Sequence, residues 1–248
     1  MVSLREAAGL AIAVTDRSQV PGNRPLLDVV RAVLEGGAHG VLVRERDLAD
    51  EERAALVTGV GPLCAEHQAL LLVASPLPHP HLPHPHLPPP QGRCDRSRSA
   101  SVDHIESGEG RRLGLHLRRH EGVPADLDRV ATFVGRSCHD LAELRRAADD
   151  GLDHVTLSPV AASVSKPGHG PALGPAGLRR LASTVRREHP TPPVIFALGG
   201  VDAANAGHWI AAGADGVAVM GAVMRAADPT AAMRAVVDSV RAARAGAS

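Results

Sequence analysis

Short apolar runs alternate with stretches of helical spacing along most of the chain. The apolar runs predict eight strands, at Leu10–Thr15, Gly40–Val43, Ala69–Val73, Leu113–Leu117, Ala131–Val134, His154–Leu157, Val194–Leu198 and Gly216–Met220. These runs are nearly continuous in hydrophobicity, which is typical of parallel strands buried on both faces. The helical stretches between them include Leu26–Glu35, Ala49–His67, a helix from about Asp140 and Pro229–Ala243. Eight alternating units favour an α/β fold of the closed (β/α)₈ TIM-barrel type over an open sheet.

One segment interrupts the alternation after the third predicted strand. It begins at Ser75 with alternating proline and histidine and continues to about Arg112 with arginine, serine, aspartate and glycine. Its proline density excludes helix and central strand, and its second part has the composition of disordered chains. We therefore expect one barrel domain over residues 1–248, with a disordered Pro/His-rich insertion at about 75–112.

Composition excludes several classes of function. The 248 residues have a formal net charge of zero, which provides no overall field for nucleic acid or an anionic membrane. With two Phe, one Trp and no Tyr, stacking on nucleobases is not expected. The three cysteines lack the paired spacing of a disulfide framework or zinc site. No stretch resembles a membrane span or a signal peptide, so we expect a cytoplasmic protein.

Polar and glycine residues follow the predicted strands, and in this fold the active site is built from those loops. The candidates are Arg44, Arg46, Ser137, Ser163, Ser165, Lys166, Gly199, Gly200 and Gly221. Guanidinium, ammonium and hydroxyl groups bind phosphate oxygens, and glycine lets backbone amides approach an anion closely. The set therefore predicts a site for a phosphate or diphosphate.

Each of these interpretations has a simple structural alternative. For the glycines it is a turn at the end of a strand, and for the serines and Lys166 it is an ordinary loop position. Arg44 and Arg46 alternate with Glu45 and Asp47, and the alternative is that these four residues pair with one another on a solvated loop. His139 is a candidate proton carrier beside the predicted anion site, because histidine titrates near neutral pH. The alternative for His139 is a histidine at a helix N-terminus that only hydrogen-bonds the backbone.

Several motifs, in this order, resemble the thiamine phosphate synthase and thiazole tautomerase (TenI) family. They are TDR at 15–17, GGAHGVLVRERD at 36–47, GLHL at 114–117, GRSCH at 135–139, SPVAASVSKPG at 158–168, ALGGV at 197–201 and GADGVAVMGAVMRAADP at 213–229. The resemblance covers nearly the whole chain outside the insertion. It implies that the barrel acts on a thiazole phosphate.

The resemblance also implies roles for individual residues. Diphosphate or phosphate would be bound at Arg44, Arg46, Ser137, Ser163, Ser165 and Lys166, and thiazole phosphate by the backbone around Gly199, Gly200, Met220 and Gly221. Where synthases of the family have Gln, this chain has Leu42, and where they have Asn-Asp it has Ala74-Ser75. The Asn contacts the pyrimidine and the Asp ligates magnesium, so Glu121, which matches a second magnesium carboxylate, remains the one metal candidate.

Three hypotheses follow from this pattern. The principal one is a tautomerase-like enzyme in which His139 shifts a proton on a thiazole phosphate without a cofactor. The alternative is a thiamine phosphate synthase that uses Mg²⁺, with a missing carboxylate supplied by the insertion, for example by Asp95 or Asp103. The third is a non-catalytic protein that binds a thiamine precursor. Members of the family often form homo-oligomers, and the sequence contains no feature that decides this point.

Overall fold

A computed structural model describes residues 10–77, 113–125, 131–162 and 171–246. All eight strands pair in parallel and in sequence order, and they close into a barrel in which β8 pairs with β1. The strands are β1 Leu10–Val14, β2 Gly40–Val43, β3 Leu70–Ala74, β4 Leu113–Leu117, β5 Phe133–Cys138, β6 His154–Leu157, β7 Val194–Leu198 and β8 Gly216–Val219. The predicted (β/α)₈ barrel is confirmed. Of the predicted insertion, residues 78–112 lie outside the described residues.

Within the described ranges, helices follow six of the strands on the outside of the barrel. They are α1 Leu26–Glu35, α2 Asp50–Glu66, α3 Leu141–Asp149, α4 Gly174–Glu188, α5 Ala206–Ala211, α6 Gly221–Met224 and α7 Pro229–Ala245. Helices α3 and α7 begin at aspartate caps, since Asp140 and Asp228 each accept a bond from a backbone N–H three residues on, at 2.9 Å. No helix in these ranges is long and apolar enough to cross a membrane.

Strand β5 differs most from its predicted extent. The sequence predicts that it ends at Val134, whereas it runs through Gly135, Arg136 and Ser137 to Cys138. Alternation explains the difference, because Gly135 and Ser137 face the barrel interior while Arg136 faces outward. The Arg136 side chain is fully buried, and it is paired with Asp150 at 2.6 Å. Strand β5 therefore continues through polar residues beyond the point where the apolar run in the sequence ends.

The barrel interior is filled by rings that lie over glycines on neighbouring strands. The pairs are Gly114 with Phe133, Gly135 with His154, and Gly216 with Phe196. At each of these glycines a Cβ atom would overlap the ring of its partner, so only glycine leaves room for the ring. Both phenylalanines of the chain are used in this way, which explains how a sequence with so few aromatic residues fills the barrel.

Candidate active site

Arg44 and Arg46 lie just past the carboxyl end of β2, and their neighbours pair elsewhere. The Glu45 carboxylate is buried and accepts bonds from the backbone N–H of Arg17 at 3.2 Å, and Asp47 pairs with the Arg17 guanidinium at 2.7 Å. The solvated-loop alternative for the two arginines is therefore wrong, because Arg17 engages both carboxylates. Within the described part of the chain, neither Arg44 nor Arg46 forms an ion pair.

A third arginine joins these two at the ends of β3 and β4. The register pairs Val43 with Val73 and Ala74 with His116, so the carboxyl ends of β2, β3 and β4 lie side by side. Arg118 follows β4 by one residue. Partial burial and the charges of Arg44 and Arg118 lower the pKa of Arg46, and Glu121 opposes that shift. Three guanidinium groups therefore share one region of the rim, where Glu121 acts on Arg46 and the carboxylates of Asp16 and Asp47 act on Arg44.

Glu121 lies in the same region and is held in place by its neighbours. Its carboxylate accepts hydrogen bonds from the Ser75 hydroxyl and from the Arg118 backbone N–H, the second at 3.0 Å. Its backbone carbonyl accepts a bond from the Arg136 guanidinium at 2.9 Å. Ser75, at the end of β3, thus anchors Glu121 instead of providing a carboxylate of its own.

These residues do not fit a magnesium site of the kind that the resemblance implies. Magnesium favours octahedral oxygen coordination with carboxylate ligands. Over residues 10–77, 113–125, 131–162 and 171–246, no group of three or more His, Cys, Asp or Glu side chains could hold a metal ion. Glu121 is a single carboxylate, and its Oε2 already accepts hydrogen bonds from Ser75 and Arg118.

Ser137 faces the barrel mouth and is part of a buried polar network. Its hydroxyl lies 3.2 Å from Nε2 of His116, which also lies 3.2 Å from the Thr156 hydroxyl. The Nδ1 of His116 lies 3.1 Å from Nε2 of His154, in the centre of the barrel. The sequence alone does not reveal this contact between His116 and His154.

The protonation state of this network determines what Ser137 can donate. Burial lowers the pKa of His154 to about 4, and burial followed by the proximity of His154 lowers that of His116 well below its ordinary value, so both rings are neutral at pH 7. The Nδ1 of His154 has no hydrogen-bond partner within the described residues. We therefore assign the unprotonated position to Nδ1 and the proton to Nε2, so that no buried N–H is left without an acceptor. His154 then donates to His116, and His116 donates to the two hydroxyls. The Ser137 hydrogen is free to point toward an anion at the mouth.

His139 follows β5 and has a defined tautomer. Its Nδ1 lies 2.6 Å from the Ser158 carbonyl oxygen, and its backbone N–H donates to Glu143 at 2.7 Å. Because a carbonyl only accepts, Nδ1 carries the proton, and in the neutral ring Nε2 holds a lone pair. The structural alternative for His139 is correct in part, since one ring nitrogen bonds the backbone. The other nitrogen is available to accept a proton.

The predicted glycine site lies at the ends of β7 and β8. Gly199 and Gly200 have φ angles of 96° and 67°, which side chains rarely adopt. They pack against the segment after β6, where a Cβ on Gly200 would come within 2.8 Å of Ala161. Across the rim, the Met220 carbonyl accepts the first bonds of α6, which begins at Gly221.

Arg225 lies over Gly221 and was not among the residues singled out from the sequence. A Cβ on Gly221 would overlap the Arg225 guanidinium, which also donates to the side chain of Gln19 after β1. Gln19 in turn donates to Asp16 at 2.5 Å. The four-residue spacing between Gly221 and Arg225 is the one available signal, because on a helix such pairs share a face. The structure thus places a cation at the glycine site.

Ser163, Ser165 and Lys166 lie outside the described residues, so their predicted placement has no structural counterpart here. The segment that leads to them is described as far as residue 162. Its backbone follows β7, with the Val160 N–H donating to the Leu198 carbonyl at 2.9 Å.

Comparison with known proteins identifies the family. The sequence profile of the thiamine monophosphate synthase (TMP-TENI) family matches residues 11–78 and 111–223. The chain belongs to this family. It is 31% identical over 218 residues to the thiamine-phosphate synthase of Roseiflexus sp., covering 86% of this chain and 78% of that protein. It is 30% identical over 235 residues to the thiamine-phosphate synthase of Methanoculleus marisnigri, covering 94% and 95%.

A solved structure shows the same fold. The thiamine phosphate pyrophosphorylase of Pyrococcus furiosus superimposes with a TM-score of 0.69 at 23% identity, covering 97% of this chain and 99% of that one. The profile match and the relatives at 30% identity or more confirm the family assignment made from the sequence motifs, and this structure confirms the fold. Within the thiamine monophosphate synthase family, this chain combines an arginine group after β2 and β4 with a glycine group after β7 and β8.

Proposed function

We propose that the protein is a thiamine phosphate synthase, which joins a pyrimidine diphosphate to a thiazole phosphate and releases diphosphate. The observation that carries the proposal is the presence of two separate groups for anions on one rim. Arg44 and Arg46 form one group, and the backbone at Gly200 and Gly221 with Arg225 forms the other. Two phosphorylated substrates need two phosphate-binding groups, whereas the thiazole carboxylate phosphate of a proton shift carries one phosphate and a less highly charged carboxylate.

The arginines match the charge that this reaction develops. As the carbon–oxygen bond to the diphosphate breaks, its electron pair leaves with the diphosphate, and the thiazole forms the new bond to that carbon. Guanidinium groups that are already in place stabilise the departing charge without reorganisation. Since Arg44 and Arg46 form no ion pair with protein carboxylates in the described ranges, both can bind diphosphate oxygens.

The names of the relatives support the same choice. The Roseiflexus and Methanoculleus proteins are named thiamine-phosphate synthases, and together they match most of this chain at about 30% identity. This similarity favours the synthase hypothesis over the tautomerase hypothesis that the departures at Ala74 and Ser75 suggest. Magnesium would belong to the synthase reaction in the family, but the described donors do not fit it, so no step here is assigned to the ion.

A proton-shift enzyme remains a second candidate because of one specific contact. The hydrogen bond from His139 Nδ1 to the Ser158 carbonyl leaves Nε2 as a proton acceptor. His139 directly follows β5, the strand that carries Ser137. An imidazole whose orientation is fixed through one nitrogen while the other can accept a proton is suited to general base catalysis. This geometry supplies the proton acceptor that the tautomerase candidate requires, but it does not by itself separate that candidate from the synthase.

Paired assays on the full chain separate the candidates. The protein is incubated with the pyrimidine diphosphate and the thiazole phosphate, and thiamine phosphate is measured. In parallel, isomerisation of the thiazole carboxylate phosphate is followed. Turnover to thiamine phosphate supports the synthase, and isomerisation alone supports the second candidate. Binding of either substrate with neither reaction would identify a non-catalytic binder and contradict the proposal.

A matched pair of variants tests the residues. Arg46→Gln removes a guanidinium from the proposed diphosphate group and should lower kcat/KM for the synthase reaction by roughly 10-fold or more. Arg145→Gln removes the same charge from the surface of α3, where the guanidinium pairs with Glu188 at 2.6 Å. The control should keep activity within about 2-fold, because that ion pair is exposed and distant from the rim.

A further inference from the structure

We propose that Arg118 completes a three-arginine diphosphate site that binds its ligand without a divalent cation. The inference rests on the proposed function, since it concerns the diphosphate side of that site. It extends the function by assigning a binding role to Arg118, and by replacing the expected metal with guanidinium charge.

The position of Arg118 follows from the strand register. Ala74 on β3 pairs with His116 on β4, and the Ser75 N–H donates to the His116 carbonyl at 2.9 Å. Arg118 therefore lies two residues beyond the level at which β3 ends, and β3 alone separates it from the end of β2 that carries Arg44. Its backbone N–H donates to Glu121, which fixes the turn that carries the side chain.

The arginines at this place have no carboxylate within ion-pair distance among the described residues, although Asp16 and Asp47 act on Arg44 at longer range. Arg44, Arg46 and Arg118 form no ion pair within residues 10–77, 113–125, 131–162 and 171–246. Glu121 is the one carboxylate that acts on Arg46, and the neighbouring charges of Arg44 and Arg118 lower the pKa of Arg46. Clustered guanidinium groups repel each other, and a bound diphosphate would remove that repulsion.

Arg119, the next residue, differs from Arg118 in having carboxylate partners. It is paired with Glu143 and lies 3.7 Å from Asp140, at the start of α3. Its charge is thus balanced by protein carboxylates outside the barrel mouth. Two adjacent arginines of equal charge therefore face different partners, and only Arg118 is placed to meet a ligand.

The donor chemistry at the end of β3 agrees with this assignment. A magnesium-bridged diphosphate needs carboxylates that face the ion. Here Ala74 has no ligand atom, and the Ser75 hydroxyl donates to Glu121. The Glu121 carboxylate is thereby held by Ser75 and Arg118, and the charge that faces the mouth is cationic. The site thus has the composition of a direct diphosphate site.

Titration calorimetry with inorganic diphosphate tests the proposal on the full chain. Binding is measured once with EDTA and once with excess magnesium chloride. For the unmodified protein we expect binding in EDTA, and excess magnesium, which complexes free diphosphate, should not lower the Kd. Arg118→Gln should raise the Kd in EDTA by about 10-fold or more, as expected for loss of one charge-assisted interaction. Arg119→Gln is the matched control and should change it by less than about 2-fold. Thermal melting confirms that each variant is folded.

Each outcome has a defined meaning. Binding that requires magnesium, or equal weakening by Arg118→Gln and Arg119→Gln, overturns the inference. If diphosphate binds only with magnesium while thiamine phosphate still forms, the proposed function stands and the inference alone fails. If no thiamine phosphate forms but diphosphate binds in EDTA and depends on Arg118, the anion site stands and the proposed function fails.

Discussion

The Nε2 of His154 lies 3.1 Å from the Nδ1 of His116 in the centre of the barrel. Both rings are buried, and the remaining nitrogen of His154 has no partner in the described part of the chain. Burial lowers the pKa of both histidines, to about 4 for His154. A charge on either ring would face its neighbour without a counterion, so the folded barrel keeps the pair neutral.

We therefore expect the barrel to lose stability as the pH falls below neutral. In the unfolded chain His154 titrates near 6.5, whereas in the folded protein it titrates near 4. Between these values the unfolded state binds more protons, so the stabilising contribution is fully present above pH 6.5 and is lost toward pH 4. His154 alone should reduce the free energy of unfolding by up to about 2 kcal/mol between pH 7 and pH 5. Urea denaturation at several pH values measures this change.

His154→Phe is the informative variant for this prediction. It retains a ring above Gly135 and removes the titrating group, so the difference in stability between pH 7 and pH 5 should become smaller. His208→Gln changes an exposed histidine on α5 and should leave that difference as it is. An unchanged pH dependence in His154→Phe would contradict the assignment.

A second prediction concerns the ring-on-glycine packing. A Cβ on Gly135 would overlap the His154 ring, so Gly135→Ala should lower the free energy of unfolding by roughly 1–3 kcal/mol or prevent folding. In a His154→Ala background the space is open, and the same Gly135→Ala change should cost much less. Denaturation of the four proteins gives the coupling energy, and additive effects would show that the two residues do not share this space.

Much of the fold follows from local patterns in the sequence. Strands such as Val194–Leu198 and the helix Leu26–Glu35 have the predicted bounds, because buried parallel strands and amphipathic helices have clear apolar periods. The predicted end of strand β5 is too early because Gly135 and Ser137 are not hydrophobic. Their extended conformation is determined by pairing with the neighbouring strand β6. Apolar pattern alone does not mark such positions.

The candidate site is predicted less completely, because its contacts join residues far apart in sequence. Arg17 binds the carboxylates of Glu45 and Asp47 from 28 and 30 residues away, and Arg44 and Arg46 are left without an ion pair in the described ranges. His116 meets His154 across 38 residues. Such pairs depend on the strand register, which the sequence does not specify. The sequence pattern predicts which residues follow a strand, but it does not predict which distant residue each of them contacts.

Arg225 should contribute to recognition of the phosphate at the glycine site. Its guanidinium lies over Gly221 and is held by Gln19. Arg225→Gln should raise KM for the thiazole phosphate by roughly 10-fold and change KM for the unphosphorylated thiazole alcohol much less. Arg241→Gln, an equal change of charge on α7, serves as the control. Equal effects on both thiazoles would contradict a role in phosphate recognition.

The two described cysteines should be unreactive in the folded protein. Burial raises the pKa of the Cys64 and Cys138 thiols to about 12. At pH 8 roughly one thiol in 10,000 is then ionised, and the thiolate is the reactive form. Iodoacetamide treatment followed by peptide mass spectrometry should find both unmodified in native protein and both modified in urea. Rapid labelling of either one without denaturant would show that its site opens.

The hydrogen bond from His139 to the Ser158 carbonyl allows its two ring nitrogens to be tested separately. His139→Asn keeps an N–H donor near the position of Nδ1 and removes Nε2, whereas His139→Phe removes both. If Nε2 accepts a proton in a thiazole isomerisation, both variants should lose that activity by about 100-fold or more, while His139→Asn keeps the thermal stability of the unmodified protein. In the synthase reaction His139→Asn should keep most of its activity, because the proposed leaving-group charge is stabilised by arginine. A comparable loss in both reactions would assign His139 a role in binding the thiazole instead of moving a proton.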